Sequence, residues 1–162
     1  MEHNVDGYGK WANHPATMKG FDHLLLEWIL KSNFILKQEI TWDMGKSANC
    51  DKIRFFPFSE RIYWLTKNSK VKLLNKNSLS DVWRLVPTHK RGEEGHIAVM
   101  PDGIVQNIID ALPNIPNVCY DPFAGTGTTC KIAKQNGINY IGSELEKQSY
   151  DVAINNLNSK LF

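Results

Sequence analysis

Two glycines, Gly125 and Gly127, sit inside DPFAGTGTTCKIAKQNG (residues 121–137), after a short strand-like run and before a helical pattern. A strand, a tight turn and a helix N-terminus in that order aim backbone N–H groups and the positive end of the helix dipole at a ligand. Glycine lets the ligand come close to the main chain. Two ligand classes that use such turns do not fit. A P-loop needs a glycine directly before a lysine and a Ser or Thr after it, whereas Lys131 follows Cys130. A dinucleotide fingerprint needs a third glycine three residues after the second, and that position is again Cys130. The next apolar run, INYIGSE, ends on Glu144, about 20 residues past the glycines, where a carboxylate accepts hydrogen bonds from ribose hydroxyls. A glycine turn with a ribose acid and no phosphate grip suits a nucleoside carrying a thioether or sulfonium, and S-adenosylmethionine fits. The plainer alternative is a simple turn with Glu144 as a surface acid.

Elements to position these residues are legible along the chain. FDHLLLEWILKSN places Phe21, Leu24, Leu25, Trp28 and Ile29 on one face and predicts a helix over about 21–32. FILKQEITWDMG alternates, with Leu36, Ile40 and Trp42 set against Ile35, Lys37, Glu39, Thr41 and Asp43; FSERIYWLTKN is a second strand, and the two suggest a hairpin. A further short strand is possible over residues 9–16. PDGIVQNIIDALPN predicts a helix between Pro101 and Pro113, PNVCYD a short buried strand, and residues 126–136 a helix closed by Gly137. INYIGSE reads as another buried strand, and a last helix carries Tyr150, Ala153, Ile154, Leu157 and Leu161 on one stripe. Strands alternating with helices predict a parallel, doubly wound α/β sheet.

The 162 residues suit one domain, or a large piece of a bigger one, and 42% hydrophobic residues supply a core. No apolar run reaches membrane-spanning length and the first ten residues lack the apolar centre of a signal peptide, so a soluble, intracellular protein is expected. Cys50, Cys119 and Cys130 lack metal-ligand spacing and their odd count gives no disulfide framework, so no metal is expected. The net charge is only +2, but from Lys67 to Arg91 seven basic residues (Lys67, Lys70, Lys72, Lys76, Arg84, Lys90 and Arg91) face one acid, Asp81. Residues 66–95 are otherwise polar and poorly periodic, an insertion rather than a core element. Such a run is either a solvated face or a phosphate-contacting surface.

The segment from Asp121 to Leu157 resembles the cofactor-binding segment of the amino-methylating DNA methyltransferases, which act on adenine N6 or cytosine N4. That family has approximately DPF-x-GSGTT, a strand ending in an acid, then a helix. GHIAVMPDGIVQNIID resembles the family segment H-P-A-x-x-P that packs beside the methionine part of the cofactor. EITWDMGKSANCDKIRFFPFSERIYWLTK and DVWRL resemble further family segments, so the likeness runs over about residues 21–157 in one order. It implies that Asp121, Phe123, Ala124, Gly125, Thr126, Gly127, Thr128 and Thr129 surround S-adenosylmethionine, that Glu144 holds its ribose, and that His96 and Ala98 lie beside its amino-acid end. Ile97 stands where the family often has proline, and Met44 where it has lysine. Arg54, Phe55, Phe58, Glu60, Tyr63 and Trp64 lie in a matched segment, where strand packing accounts for the aromatics. The resemblance further implies a partial Rossmann-like methyltransferase fold: a mixed sheet with a C-terminal β-hairpin and helices on both faces. Residues 1–65 would be the second half of that sheet (helix and hairpin), 66–95 the basic target-recognition insertion on double-stranded DNA, and 96–162 the S-adenosylmethionine-binding segment. A cytoplasmic, prokaryotic or phage protein is expected.

One family feature is missing. The D/N-P-P-Y/F/W segment, whose polar groups hydrogen-bond the target amine and whose ring stacks on the flipped base, has no counterpart: the seven prolines are never adjacent, and the one Asp-Pro, Asp121-Pro122, belongs to the glycine turn. Cytosine C5 chemistry needs a nucleophilic thiol, in that family after a proline, and no cysteine here follows one. The chain therefore reads as the part of such an enzyme that comes after its catalytic segment, with no catalytic residue assignable. In that fold the absent strand would lie beside the one ending at Asp121. The gap is expected to close by re-pairing of strands or by a second chain covering it. The alternatives are a partner-requiring or inactive module that binds DNA or S-adenosylmethionine, and a methyltransferase for RNA, protein or a small molecule.

Overall fold

Alternation in ILKQEITWD does produce a strand. In the computed structural model, which describes residues 21–45, 58–74, 77–86 and 99–158, helix α1 (Phe21–Lys31) leads into β1 (Ile35–Asp43). β1 pairs antiparallel with β2 (Ser59–Thr66), placing Ile40 opposite Ile62 and Asp43 opposite Ser59. The register shifts between Leu36 and Gln38, an irregularity that resets the alternation, and beyond it Ile40 and Trp42 both turn inward and are buried. The hairpin expected from the sequence is thus present. The possible strand over residues 9–16 lies outside the described residues. α1 matches its predicted span, but among the described side chains of its apolar face only Ile29 is buried; Leu24 and Trp28 remain exposed, with the Trp28 ring 5.8 Å from that of Phe34.

A third strand, β3 (Val82–Arg84), runs parallel to β1 on its other edge with Trp83 opposite Trp42, giving the order β2-β1-β3. This corrects the expectation that the stretch from 66 to 95 holds no core element. Trp83 is buried and clusters with Ile40, Trp42 and Ile104, so the hydrophobic gain of one large indole fixes a three-residue strand inside a polar run. Its Nε1 donates to the Ser80 carbonyl at 2.9 Å, and Trp42 Nε1 to that of Leu85 at 2.7 Å, so neither indole N–H is buried without a partner.

Helix α2 (Asp102–Asp110) starts at Pro101, whose extended backbone suits an N-cap, and stops at Ala111, before Pro113. Ile104 presses on the three-stranded sheet. On the other side, Lys131 Nζ meets Asp102 Oδ2 at 2.6 Å. There too the amides of Gln106 and Asn136 exchange hydrogen bonds of 2.9 and 3.3 Å. α2 is therefore docked on both halves of the described structure.

The second half is β4 (Val118–Asp121), α3 (Thr128–Gln135), β5 (Asn139–Gly142) and α4 (Lys147–Asn158). β4 and β5 are parallel, with Val118 opposite Asn139 and Asp121 opposite Gly142. α3 packs on the pair and buries Cys130, Ile132 and Ala133. Gly137 ends it at φ 70°, the left-handed conformation expected for a glycine cap. β4 and β5 are not the buried strands expected from their apolar runs: Val118, Tyr120 and Ile141 are 50, 62 and 57% exposed. α3 packs on one face, and these residues, with Tyr120 opposite Ile141, lie on the other. Among the described residues β4 also has only β5 as a neighbour, and the two sheets stay separate. The architecture is α/β with a mixed sheet, Rossmann-like over β4–α3–β5–α4.

Candidate cofactor and nucleic-acid site

The tips of β4 and β5 are stitched together before the glycine turn begins. The Asp121 carbonyl accepts the Ser143 N–H at 3.0 Å, the Ser143 carbonyl accepts the Ala124 N–H at 2.9 Å, and Asp121 Oδ1 accepts the Phe123 N–H at 3.0 Å. The chain then reverses, with the Gly127 N–H donating to the Ala124 carbonyl at 2.8 Å. Gly125 (φ 54°) and Gly127 (φ 84°) both take left-handed conformations, but for different neighbours. A Cβ on Gly125 would meet nothing within 4 Å, whereas one on Gly127 would stand 2.9 Å from Ala153 Cβ. Gly125 faces open space; Gly127 faces α4. Thr126 and Thr128 are buried, with Thr128 Oγ1 donating to the Met100 carbonyl at 3.4 Å. Phe123 is 87% exposed. The first amides of α3 have no intrahelical acceptor, as at any helix N-terminus.

Glu144 lies two residues past β5. Its Oε2 accepts the Gly125 N–H at 2.8 Å and its Oε1 accepts the Glu146 N–H at 2.8 Å. These bonds, that from Glu146 first and that from Gly125 next, hold its carboxyl below the usual carboxylate range. It is a charged acceptor at neutral pH, and each oxygen keeps further lone-pair capacity for a hydroxyl donor. A cavity of about 310 Å³ beside the turn is lined by Ala124, Gly127 and Glu144 together with Tyr140, Tyr150 and Ile154.

The structure thus brings together Asp121, Phe123, Ala124, Gly125, Thr126, Gly127, Thr128, Thr129 and Glu144. His96 and Ala98 lie outside the described residues. Sequence reasoning missed Gly142: a Cβ there would sit 2.8 Å from Cys130 Sγ and 3.1 Å from Ala124 Cβ, so the strand tip passes the turn only as glycine. A glycine at the end of a strand just before the acid was the available signal. Burial first, and the nearby Asp121 second, push the Cys119 and Cys130 thiols up, which keeps both neutral. Among the described residues no His/Cys/Asp/Glu cluster could hold a metal ion. Open space over Gly125, a charged acceptor 2.8 Å from its amide and a helix N-terminus behind it fit a nucleoside with a cationic or neutral sulfur.

Of the basic residues, Lys67, Lys70 and Lys72 are exposed. Lys67 Nζ lies 5.8 Å from the centre of the Phe34 ring. Lys72 borders a groove of about 400 Å³ with Lys37, Trp64 and Trp83. Arg84 is exposed, with its Nε bonded to Asp43 Oδ2 at 2.9 Å. That bond, ahead of the Gly45 amide, holds Asp43 low. Lys76, Lys90 and Arg91 lie outside the described residues.

Strand, glycine turn, helix, strand and terminal acid define an α/β nucleoside-cofactor domain. A family model described as DNA methylase, of the N6/N4 type, matches residues 10–155, and the chain belongs to that family. It is 27% identical over 162 residues to the type II methyltransferase M.ScaI of Streptomyces caespitosus, an alignment covering 80% of this chain and 53% of that protein. The fold is similar to that in the crystal structure of the M1.HpyAVI–SAM complex (TM-score 0.70, 24% identity, 85% of this chain and 70% of that one). It is also similar to the cytosine-N4-specific PvuII DNA methyltransferase (TM-score 0.72, 17% identity, 86% of this chain and 58% of that one). The chain spans about half the length of the relatives it matches.

Proposed function

We propose that this chain is the target-recognition and S-adenosylmethionine-binding part of a DNA amino-methyltransferase, with adenine N6 favoured over cytosine N4 as the acceptor. The observation that carries the reading is the 2.8 Å bond from the Gly125 amide to the Glu144 carboxylate, with open space over Gly125. It supports a berth in which Glu144 accepts from the ribose, the residues from Asp121 to Thr129 surround the nucleoside, and His96 and Ala98 flank its amino-acid end. When bound, the donor supplies an electrophilic sulfonium methyl. Residues 66–95 act as the recognition insertion, with Lys67, Lys70, Lys72, Lys76, Arg84, Lys90 and Arg91 on the phosphates of double-stranded DNA; phosphate contacts set register rather than sequence choice. A second polypeptide segment adds a strand on the edge of β4 that no described strand occupies, and brings the groups that hold the target amine. The setting proposed for it is the cytoplasm, for a protein of prokaryotic or phage origin; no described helix is long and apolar enough to cross a membrane.

Calorimetry with S-adenosylhomocysteine tests the berth. The parent is expected to bind, and Gly125→Val and Glu144→Ala to weaken binding, the latter roughly tenfold or more for a lost charged acceptor. Both variants binding like the parent would overturn the site. Transfer of tritiated methyl to duplex DNA, with and without a chain supplying a D/N-P-P-Y/F/W segment, tests the reaction. Digestion to nucleosides then distinguishes N6-methyladenine from N4-methylcytosine. Binding without transfer in either condition would leave an inactive binding module.

A further inference from the structure

We infer that α4 clamps the glycine turn and that Asn156 is a positioning residue for the methyl donor, an inference that rests on the cofactor reading above. Ala153 and Asn156 are three residues apart on α4 and so share one face. Ala153 is buried against Gly127, whose missing Cβ would fall 2.9 Å from Ala153 Cβ and 3.2 Å from its Cα. One turn on, Asn156 Nδ2 donates to the Thr126 carbonyl at 3.0 Å.

That carbonyl matters because of its neighbours. Thr126 lies between two residues in left-handed conformations, and a glycine-flanked peptide is among the easiest to rotate. The Thr126–Gly127 peptide plane is held at both ends: its oxygen by Asn156, its N–H by the Ala124 carbonyl at 2.8 Å. The Gly125 amide is held in turn by Glu144. Three contacts, one from α4, one from within the turn and one from Glu144, therefore fix the shape of the turn before a ligand arrives. A preorganised loop binds without the cost of ordering it. Asn156 touches no ligand in this scheme; it acts through the loop.

The test compares Asn156→Ala, the near-isosteric Asn156→Asp, which lacks the donor, and Asn156→Gln, which keeps it, with Asn155→Ala as a surface control. The dissociation constant for S-adenosylhomocysteine is expected to rise about 3- to 10-fold in the Ala and Asp variants, the range of one net hydrogen bond, and to recover in part in Gln. Without ligand, the Gly125 and Gly127 amide resonances are expected to move in Ala and Asp and to stay in place in Asn155→Ala. Unmoved resonances with parent-like affinity in all three would overturn the clamp. If Glu144→Ala binds like the parent while those resonances do move, the cofactor reading fails and the clamp stands. If Glu144→Ala loses affinity while Asn156→Ala keeps it, the clamp alone fails.

Discussion

At the scale of single residues, the two glycines of the turn should fail in different ways. Valine at position 127 meets both a left-handed φ and the Ala153 side chain, so Gly127→Val is expected to cost roughly 2–4 kcal/mol of stability. Valine at 125 meets only the conformational penalty, about 1–2 kcal/mol, and intrudes on the space left for a ligand. Urea unfolding beside calorimetry separates them: mainly lost stability at 127, mainly lost affinity at 125. Equal unfolding midpoints would contradict the packing of Gly127 on α4. Glu144 has a pH signature of its own. Its folded pKa is depressed by backbone donors, so it binds fewer protons folded than unfolded in mildly acid solution. The stability it lends is full above its unfolded value, about pH 4.3, and is lost as pH falls through the lower folded one. Asp43, held down chiefly by Arg84, adds a loss of the same sign. The melting temperature should fall on acidification through this range, and Glu144→Gln should flatten part of the fall. An unchanged acid limb in the variant would show that the carboxylate is not held.

At the scale of elements, the weight falls on α2. Ile104 is 3% exposed and sits among Ile40, Trp42 and Trp83, so Ile104→Ala should cost about 2–5 kcal/mol, read from chemical denaturation; a loss below about 1 kcal/mol would mean that the site collapses around the smaller side chain. α2 was legible in the sequence because its apolar residues recur at helical spacing between two prolines. The hairpin, α3, its glycine cap and the turn with its acid were legible for similar reasons: periodicity and glycine chemistry are local signals. β3 was not, since three residues are too few for a pattern and only the tertiary contact of Trp83 makes them a strand. The exposure of Val118, Tyr120 and Ile141 was not legible either. An apolar run tells what a strand would bury, not whether anything lies over it. Asn156 left no trace, being a polar helix residue whose partner is 30 positions away.

At the scale of the whole molecule, one edge of β4 carries no described strand, and Val118, Tyr120 and Ile141 beside it are exposed. Unpaired strand groups next to exposed apolar side chains invite association. Light scattering on a size-exclusion column is expected to give a mass above that of one chain, falling to a defined complex when a polypeptide carrying the proposed additional strand is added. A monodisperse single chain, unchanged by that addition, would count against a second segment at this edge. A last consequence concerns α2, which leans on the tryptophan cluster with one side and on α3 with the other, while the Met100 carbonyl just ahead of it holds Thr128. Pull the hairpin sheet aside, and either the glycine turn travels with it or the helix must come away from one of its two anchorages. The two sheets are yoked by one strut of nine residues.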